Sequence, residues 1–339
     1  MKKHILIIAT LLIATTSLAR HVRSFSLRYG HPRMLTNSLY KQLKVLDLRK
    51  DENIGYIKTG AFNNTAPLVT DKPLPELLSE HFSNLLAADP AKGDDLVFAL
   101  YDFKIEEPIY GEIGTFYIDG DFYGGNGVSG YHFLGSVDSF FEVSSGIDVT
   151  TQVINTADLV TTRIMVNYSE MTAKPGDTTI FTKVQIPEKR KNDNLKYPIY
   201  KTGTFKRGIY YGVNDFINHT PIDTPLIGIA SAIGDEQHIS FYYEKPDGRK
   251  GEKLDCETFF AIYDGTDWAA SNGKYCVKMT YTDGNFYAIQ TSAGLQDPHA
   301  GHNFGVIGSA IGARHAKHLN YRSRFDPRKK RFGPFKRLN

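Results

Sequence analysis

The chain has 339 residues, of which 41% are hydrophobic and 23% charged. That length suits two domains of roughly 100–200 residues, and the composition excludes both a disordered chain and a helical membrane protein. Two cysteines exclude a disulfide-scaffold miniprotein and any multi-cysteine zinc or iron–sulfur framework. The net charge of +3 hides an asymmetry: from Arg314 onward ten basic residues stand against Asp326 alone, so the rest of the chain is net acidic.

Lys2 and Lys3 precede an apolar run from Ile5 to Ala14, and Ser17-Leu18-Ala19 places small residues where a signal peptidase needs them. This pattern predicts a secretory signal peptide over 1–19, cut before Arg20. The run is shorter than the ~20 residues of a membrane-spanning helix. No cysteine follows it to carry a lipid. The expected location is the periplasm, the outer-membrane periphery or the extracellular space. Residues 20–35 are basic and irregular and read as a flexible lead-in.

The first module spans 36–171. A strand at Leu43–Leu48 leads through a turn-rich connection to a helix at 74–88, whose Leu74, Leu77, Leu78, Phe82, Leu85 and Leu86 recur at helical spacing. Pro73 and Pro75 suit its first turn. Strand-like runs follow at Leu96–Ile105, Gly114–Tyr123 and Tyr131–Val143, separated by turn residues such as Gly124-Gly125-Asn126-Gly127. A second helix covers 149–166, with Val149, Val153, Ile154, Ala157, Val160 and Ile164 on one stripe. The order β-α-β-β-β-α is most simply a sheet with both helices on one face.

Residues 172–195, with Pro175-Gly176-Asp177 and the charged run 188–193, read as a linker. The second module, 196–296, carries a short helix near Val213–Asn218. Strand candidates follow at Leu226–Ala232, His238–Glu244, Phe259–Tyr263, Tyr275–Tyr281 and Asn285–Thr291. The fold class expected is α+β in two modules, the second mostly antiparallel sheet. Residues 297–339 hold a Gly- and His-containing segment and a basic tail.

Two stretches carry a resemblance. Asp47-Leu48-Arg49-Lys50-Asp51, Ile54-Gly55-Tyr56 and Ala66-Pro67-Leu68-Val69-Thr70, followed by helix 74–88, resemble segments of uncharacterised exported bacterial proteins. Lys206-Arg207-Gly208-Ile209-Tyr210, Asp215-Phe216, Asn218, Thr220-Pro221 and Tyr263-Asp264-Gly265 resemble a second motif of the same group. This resemblance covers most of 45–290 and implies no activity. The element order of the first module is distantly similar to the auxiliary lipoprotein component of ABC-type envelope transporters. Those proteins carry a lipidated cysteine, which is missing here.

Catalytic motifs are sparse. There is no Gly-x-Ser-x-Gly elbow, phosphate loop or His-Glu-x-x-His, and no cofactor is expected. Cys256 and Cys276, 20 apart in a chain expected to be exported, are disulfide candidates, with two free thiols the alternative. His299 with His302, and His315 with His318, pair imidazoles three residues apart and are candidate metal ligands. Phe304–Ala313 sets small residues at four-residue spacing, as a docking segment or a hinge would. Asp119-Gly120-Asp121 and Asp264-Gly265-Thr266-Asp267 read as hairpin turns rather than calcium loops. In the tail, Tyr321, Phe325, Phe332 and Phe335 interleave with Arg322, Arg324, Arg328, Lys329, Lys330, Arg331, Lys336 and Arg337. Such interleaving suits an anionic membrane surface. It also suits single-stranded nucleic acid, from which export separates the chain. The function expected is a non-catalytic, accessory binding protein of the envelope or surface, with envelope proteins or anionic lipid as partners. The alternative is a secreted hydrolase whose carboxylates are assembled from distant residues.

Overall fold

The computed structural model describes residues 23–30, 35–59, 64–87, 93–107, 113–144, 149–233, 236–271, 276–282, 284–291, 320–328, 330–332 and 336–337. The chain is α+β and divides into two compact units, Met1–Pro187 and Glu188–Asn339.

In the first unit β1 (Arg23–Phe25), β2 (Tyr40–Asp47), β3 (Tyr56–Thr59) and β4 (Asn64–Thr70) precede α1 (Leu74–Leu85). Then come β5 (Asp94–Glu106), β6 (Ile113–Asn126), β7 (Gly130–Ser144) and α2 (Val149–Ser169). A four-stranded sheet runs β2-β5-β6-β7, with β2 parallel to β5 and the other pairs antiparallel. A smaller sheet runs β1-β4-β3. Both helices pack on one face of the larger sheet. Leu74, Leu78, Phe82 and Leu85 of α1 share one core with Val153, Ala157 and Met165 of α2 and with Leu96, Phe98, Phe116 and Phe122. The apolar period of each helix sets this arrangement, because each must bury its stripe. The opposite sheet face holds a second cluster of Val97, Ala99, Tyr123 and Tyr131, closed by Ile186.

The link between β2 and α1, read as a turn-rich connection, contains the β3–β4 hairpin. Its approach passes so close to β5 that a Cβ on Gly55 would lie 1.8 Å from the Ile105 carbonyl oxygen, at a backbone φ of +132°. Glycine alone fits there. The lead-in is likewise structured from Arg23: β1 pairs in parallel with β4, and Phe25 is fully buried against Phe103. One aromatic in a basic stretch is enough to anchor it. Asp119-Gly120-Asp121 is not a turn but the middle of β6, with Gly120 flat beneath the Phe98 ring. The stretch 172–187 lies on the first unit, where Phe181 exchanges backbone hydrogen bonds with Tyr131 of β7 and Ile186 is fully buried.

The second unit opens with three short helices, α3 (Lys189–Asn194), α4 (Pro198–Lys201) and α5 (Val213–Asn218), and β8 (Gly208–Tyr210) lies before α5. The strands that follow are β9 (Leu226–Ile233), β10 (Glu236–Glu244), β11 (Lys250–Lys253), β12 (Ala261–Tyr263), β13 (Trp268–Ser271), β14 (Cys276–Thr282) and β15 (Asn285–Thr291). β16 (Asn320–Asp326), β17 (Arg331–Phe332) and β18 (Lys336–Arg337) complete an eleven-stranded, antiparallel sheet. Its main path is β17-β16-β15-β14-β13-β12-β8, with β10 joining β9 and β11 to β14. One aromatic core gathers Tyr210, Phe216, Trp268, Phe286 and Phe325. Here lies a correction to the reading of 314–339 as a tail. β16 pairs with β15 from Asn320 to Arg324 and with β17 at Phe325 and Asp326, and Phe325 is 1% exposed in the core. The period-two alternation of Ser323 and Phe325 with arginine is a strand signal that the basic composition masked.

The expected signal peptide, the four histidines His299, His302, His315 and His318, and Phe304–Ala313 lie outside the described residues.

Candidate functional site

The basic residues singled out in sequence are displayed by a folded sheet. Arg324 projects from β16, and Arg328 lies in the turn after it. With Arg190 and Asn194 of α3 they line a small recess whose remaining walls are Phe325, Asp326 and Pro327. It has room for a single water-sized group, far less than a ligand pocket needs.

Each wall has a local cause. Period two puts Phe325 inward to the aromatic core and Arg324 on the opposite face. Asp326 accepts from the Arg328 backbone N–H at 2.9 Å, from its Nε at 3.3 Å and from its Nη2 at 3.1 Å, fixing the guanidinium plane. Helix α3 is pinned by Asp193, which accepts from Lys189 Nζ at 2.7 Å and Lys196 Nζ at 2.6 Å. Burial raises the Asp193 carboxyl, but these two ammonium groups outweigh it and hold the group below its ordinary range. Arg190, on the same short helix, is 7% exposed. The recess is thus lined by three guanidinium groups and the Asp326 carboxylate, and guanidinium forks match carboxylate and phosphate oxygens.

Of the other residues in the basic set, Lys330 is exposed and its Nζ donates to Asn214 Oδ1 of α5 at 2.9 Å. Lys329 lies outside the described residues. Arg322, Arg331, Lys336 and Arg337 are placed by backbone only, in β16, β17 and β18. Arg190 was not singled out in sequence. Its charge run read as linker, and no local pattern reports that a helix there faces β16.

Cys256 and Cys276 are bonded, linking a single 3₁₀ turn (Cys256–Thr258) to the start of β14. A second charged feature, on the first unit, includes the Asp119-Gly120-Asp121 stretch that read as a hairpin turn. Asp119 stands in register with Asp102 of β5 on one side and Asp138 of β7 on the other, and Asp121 accepts from Ser136 Oγ at 2.6 Å. Asp119 and Asp121 are both buried. The glycine between them suggested a turn, whereas their i, i+2 spacing is that of one strand face. Among the described residues no His, Cys, Asp or Glu group is arranged to hold a metal ion.

No family model matches the chain, and no curated protein matches it. Among solved structures, one described as an uncharacterised protein shares 15% identity, with a TM-score of 0.27 over 44% of this chain and 97% of its own. A Xanthomonas campestris protein of family DUF330 shares 11% identity, with a TM-score of 0.29 over 43% of this chain and 91% of its own. Likeness of that order carries nothing about activity, and what the chain does rests on its own residues.

Proposed function

We propose that this protein is an exported, non-catalytic binding protein of the cell envelope that meets anionic groups through the basic face around Arg190, Arg324 and Arg328. The observation that carries the reading is the gathering of these three arginines, from two distant stretches of sequence, around one recess. The Cys256–Cys276 bond supports export, because disulfides persist in oxidising compartments. The signal-peptide pattern of 1–19 supports the same location. Anionic lipid is the partner class favoured, since basic residues near such a surface contribute roughly 1 kcal/mol each without a lipid anchor.

The test is co-sedimentation of the purified chain with vesicles of anionic or purely zwitterionic lipid. Binding to the anionic vesicles alone is expected at about 0.1 M salt, with loss near 1 M, as the screening length falls from about 10 Å to about 3 Å. Equal binding to both vesicle types, or to neither, contradicts the proposal.

A further inference from the structure

Residues 202–206 form a short strap between α4 and β8 of the second unit. Thr204 and Lys206 are exposed on it, and Phe205 between them is half-buried. The Phe205 ring meets Trp268 edge-on at 5.1 Å, Tyr281 at 5.2 Å and Tyr263 at 5.9 Å. Trp268 and Tyr263 themselves stack at 4.7 Å. Phe205 thus plugs a socket of three rings. Trp268 is 5% exposed, and its Nε1 is buried with no hydrogen-bond partner among the described residues. A buried donor without an acceptor is unfavourable. Water entering the socket would supply the acceptor, which weighs against the closed plug.

Hydrogen bonds at Lys206 pin the strap. Its backbone N–H donates to His219 Nε2 at 3.0 Å, and its carbonyl accepts from the Tyr210 hydroxyl at 3.0 Å. His219 ends α5 in the left-handed conformation, at a φ of 55°, which sets its ring beside those of Phe205 and Tyr210. A backbone N–H can only donate, so the Nε2 it meets must offer a lone pair. The closed strap therefore needs neutral His219, with its proton on Nδ1. Imidazolium carries N–H on both nitrogens, cannot accept this bond, and would set two donors face to face.

We propose that residues 202–206 are an acid-opened strap: neutral His219 holds Phe205 over Trp268, and proton uptake by His219 lifts it off. The sense follows from the direction of the Lys206–His219 bond. Burial, and then the Lys206 ammonium, act the same way and hold His219 below its ordinary 6.5 in the closed form. With the strap open, His219 meets water and returns toward that value. The open form thus binds the proton more tightly, so opening grows as pH falls through 6.5. Lys206 faces His219 from the strap, and Tyr210 faces it from β8 with its hydroxyl given to the Lys206 carbonyl. Asp215, the acid of α5, accepts from the Gly212 N–H at the far end of that helix at 2.8 Å. An open strap presents Trp268, Tyr263 and Tyr281 as one aromatic face.

The test uses the full chain, in which Trp268 is the sole tryptophan. Acrylamide quenching of its emission should increase between pH 7.5 and 5, with a red shift. Over the same range the protection factor of the Lys206 amide should fall roughly fivefold or more, as His219 near 6.5 in the open form requires. The amides of Ile262 and Ala269, buried and paired in the sheet, should stay protected. His219→Asn does not titrate and tolerates the left-handed backbone, so it should show no step in either signal. Quenching and Lys206 protection that are equal at both pH values overturn the strap. So does a loss of Lys206 protection only in step with Ile262 and Ala269, which is unfolding of the unit. A step that survives in His219→Asn overturns the role of His219.

Discussion

Gly120 and His81 each rest on one geometric fact with a measurable consequence. A Cβ on Gly120 would lie 2.0 Å from Phe98 Cε2 and 2.9 Å from the Ala99 carbonyl oxygen. Phe98 has no room to retreat, since its ring stacks on Phe122 at 4.2 Å. Gly120→Ala should therefore lower stability by about 1–3 kcal/mol, read as a drop in the urea midpoint. His81 is buried with its Nε2 against the Thr162 hydroxyl, and burial pushes it down to about 4 from an ordinary 6.5. The unfolded chain thus takes up a proton before the folded one does. Stability from neutral His81 is complete above pH 6.5 and declines as pH falls toward about 4, by at most about 3 kcal/mol. His81→Gln should flatten that part of the stability–pH curve. An unaltered curve would mean that other groups govern the acid loss.

At the scale of elements, the long periodic segments were the legible ones. Helices α1 and α2 announced themselves because each carries apolar residues at 3.6 spacing over several turns, and β5, β6 and β7 because long runs rich in aromatic and aliphatic residues are bounded by turn residues. What stayed hidden were short strands that depend on tertiary pairing. β1 is three residues long and gains its partner from β4, and β8 gains its own from β12. β16 was hidden differently, since its arginines drew attention to charge while its alternation passed unread. The site was half legible: Arg324 and Arg328 stood out in the basic set, whereas Arg190 became relevant only through the fold. The disulfide closes a loop with a separation of 20 residues between a turn and a core strand. Replacing Cys256 and Cys276 together by serine should destabilise the second unit by about 3 kcal/mol on the loop-entropy model, measurable by thermal or denaturant unfolding. A change well under 1 kcal/mol would show that the surrounding sheet already imposes the same constraint.

At the scale of the whole molecule, the division at Pro187–Glu188 places a covalent connection between two units that each have their own core. Lys183 lies exposed in the turn just before it, while Lys189 is half-buried and Arg190 buried. Limited trypsin treatment should cut first after Lys183, giving two fragments near the size of the units. First cuts within β6 or α2 would contradict a boundary there. Removing everything after Ala313 would be a poor test of the basic face, because it takes Phe325 out of the aromatic core along with the charges. A point change separates the two effects. Arg324→Gln keeps the strand and its inward Phe325 and deletes one guanidinium from the recess. The most direct measurement is the affinity of this variant and of the unmodified chain for anionic vesicles at about 0.1 M salt, with unfolding midpoints compared alongside. Weakening by roughly fivefold, the equivalent of about 1 kcal/mol, with unchanged stability is the predicted result; undiminished affinity would contradict the account.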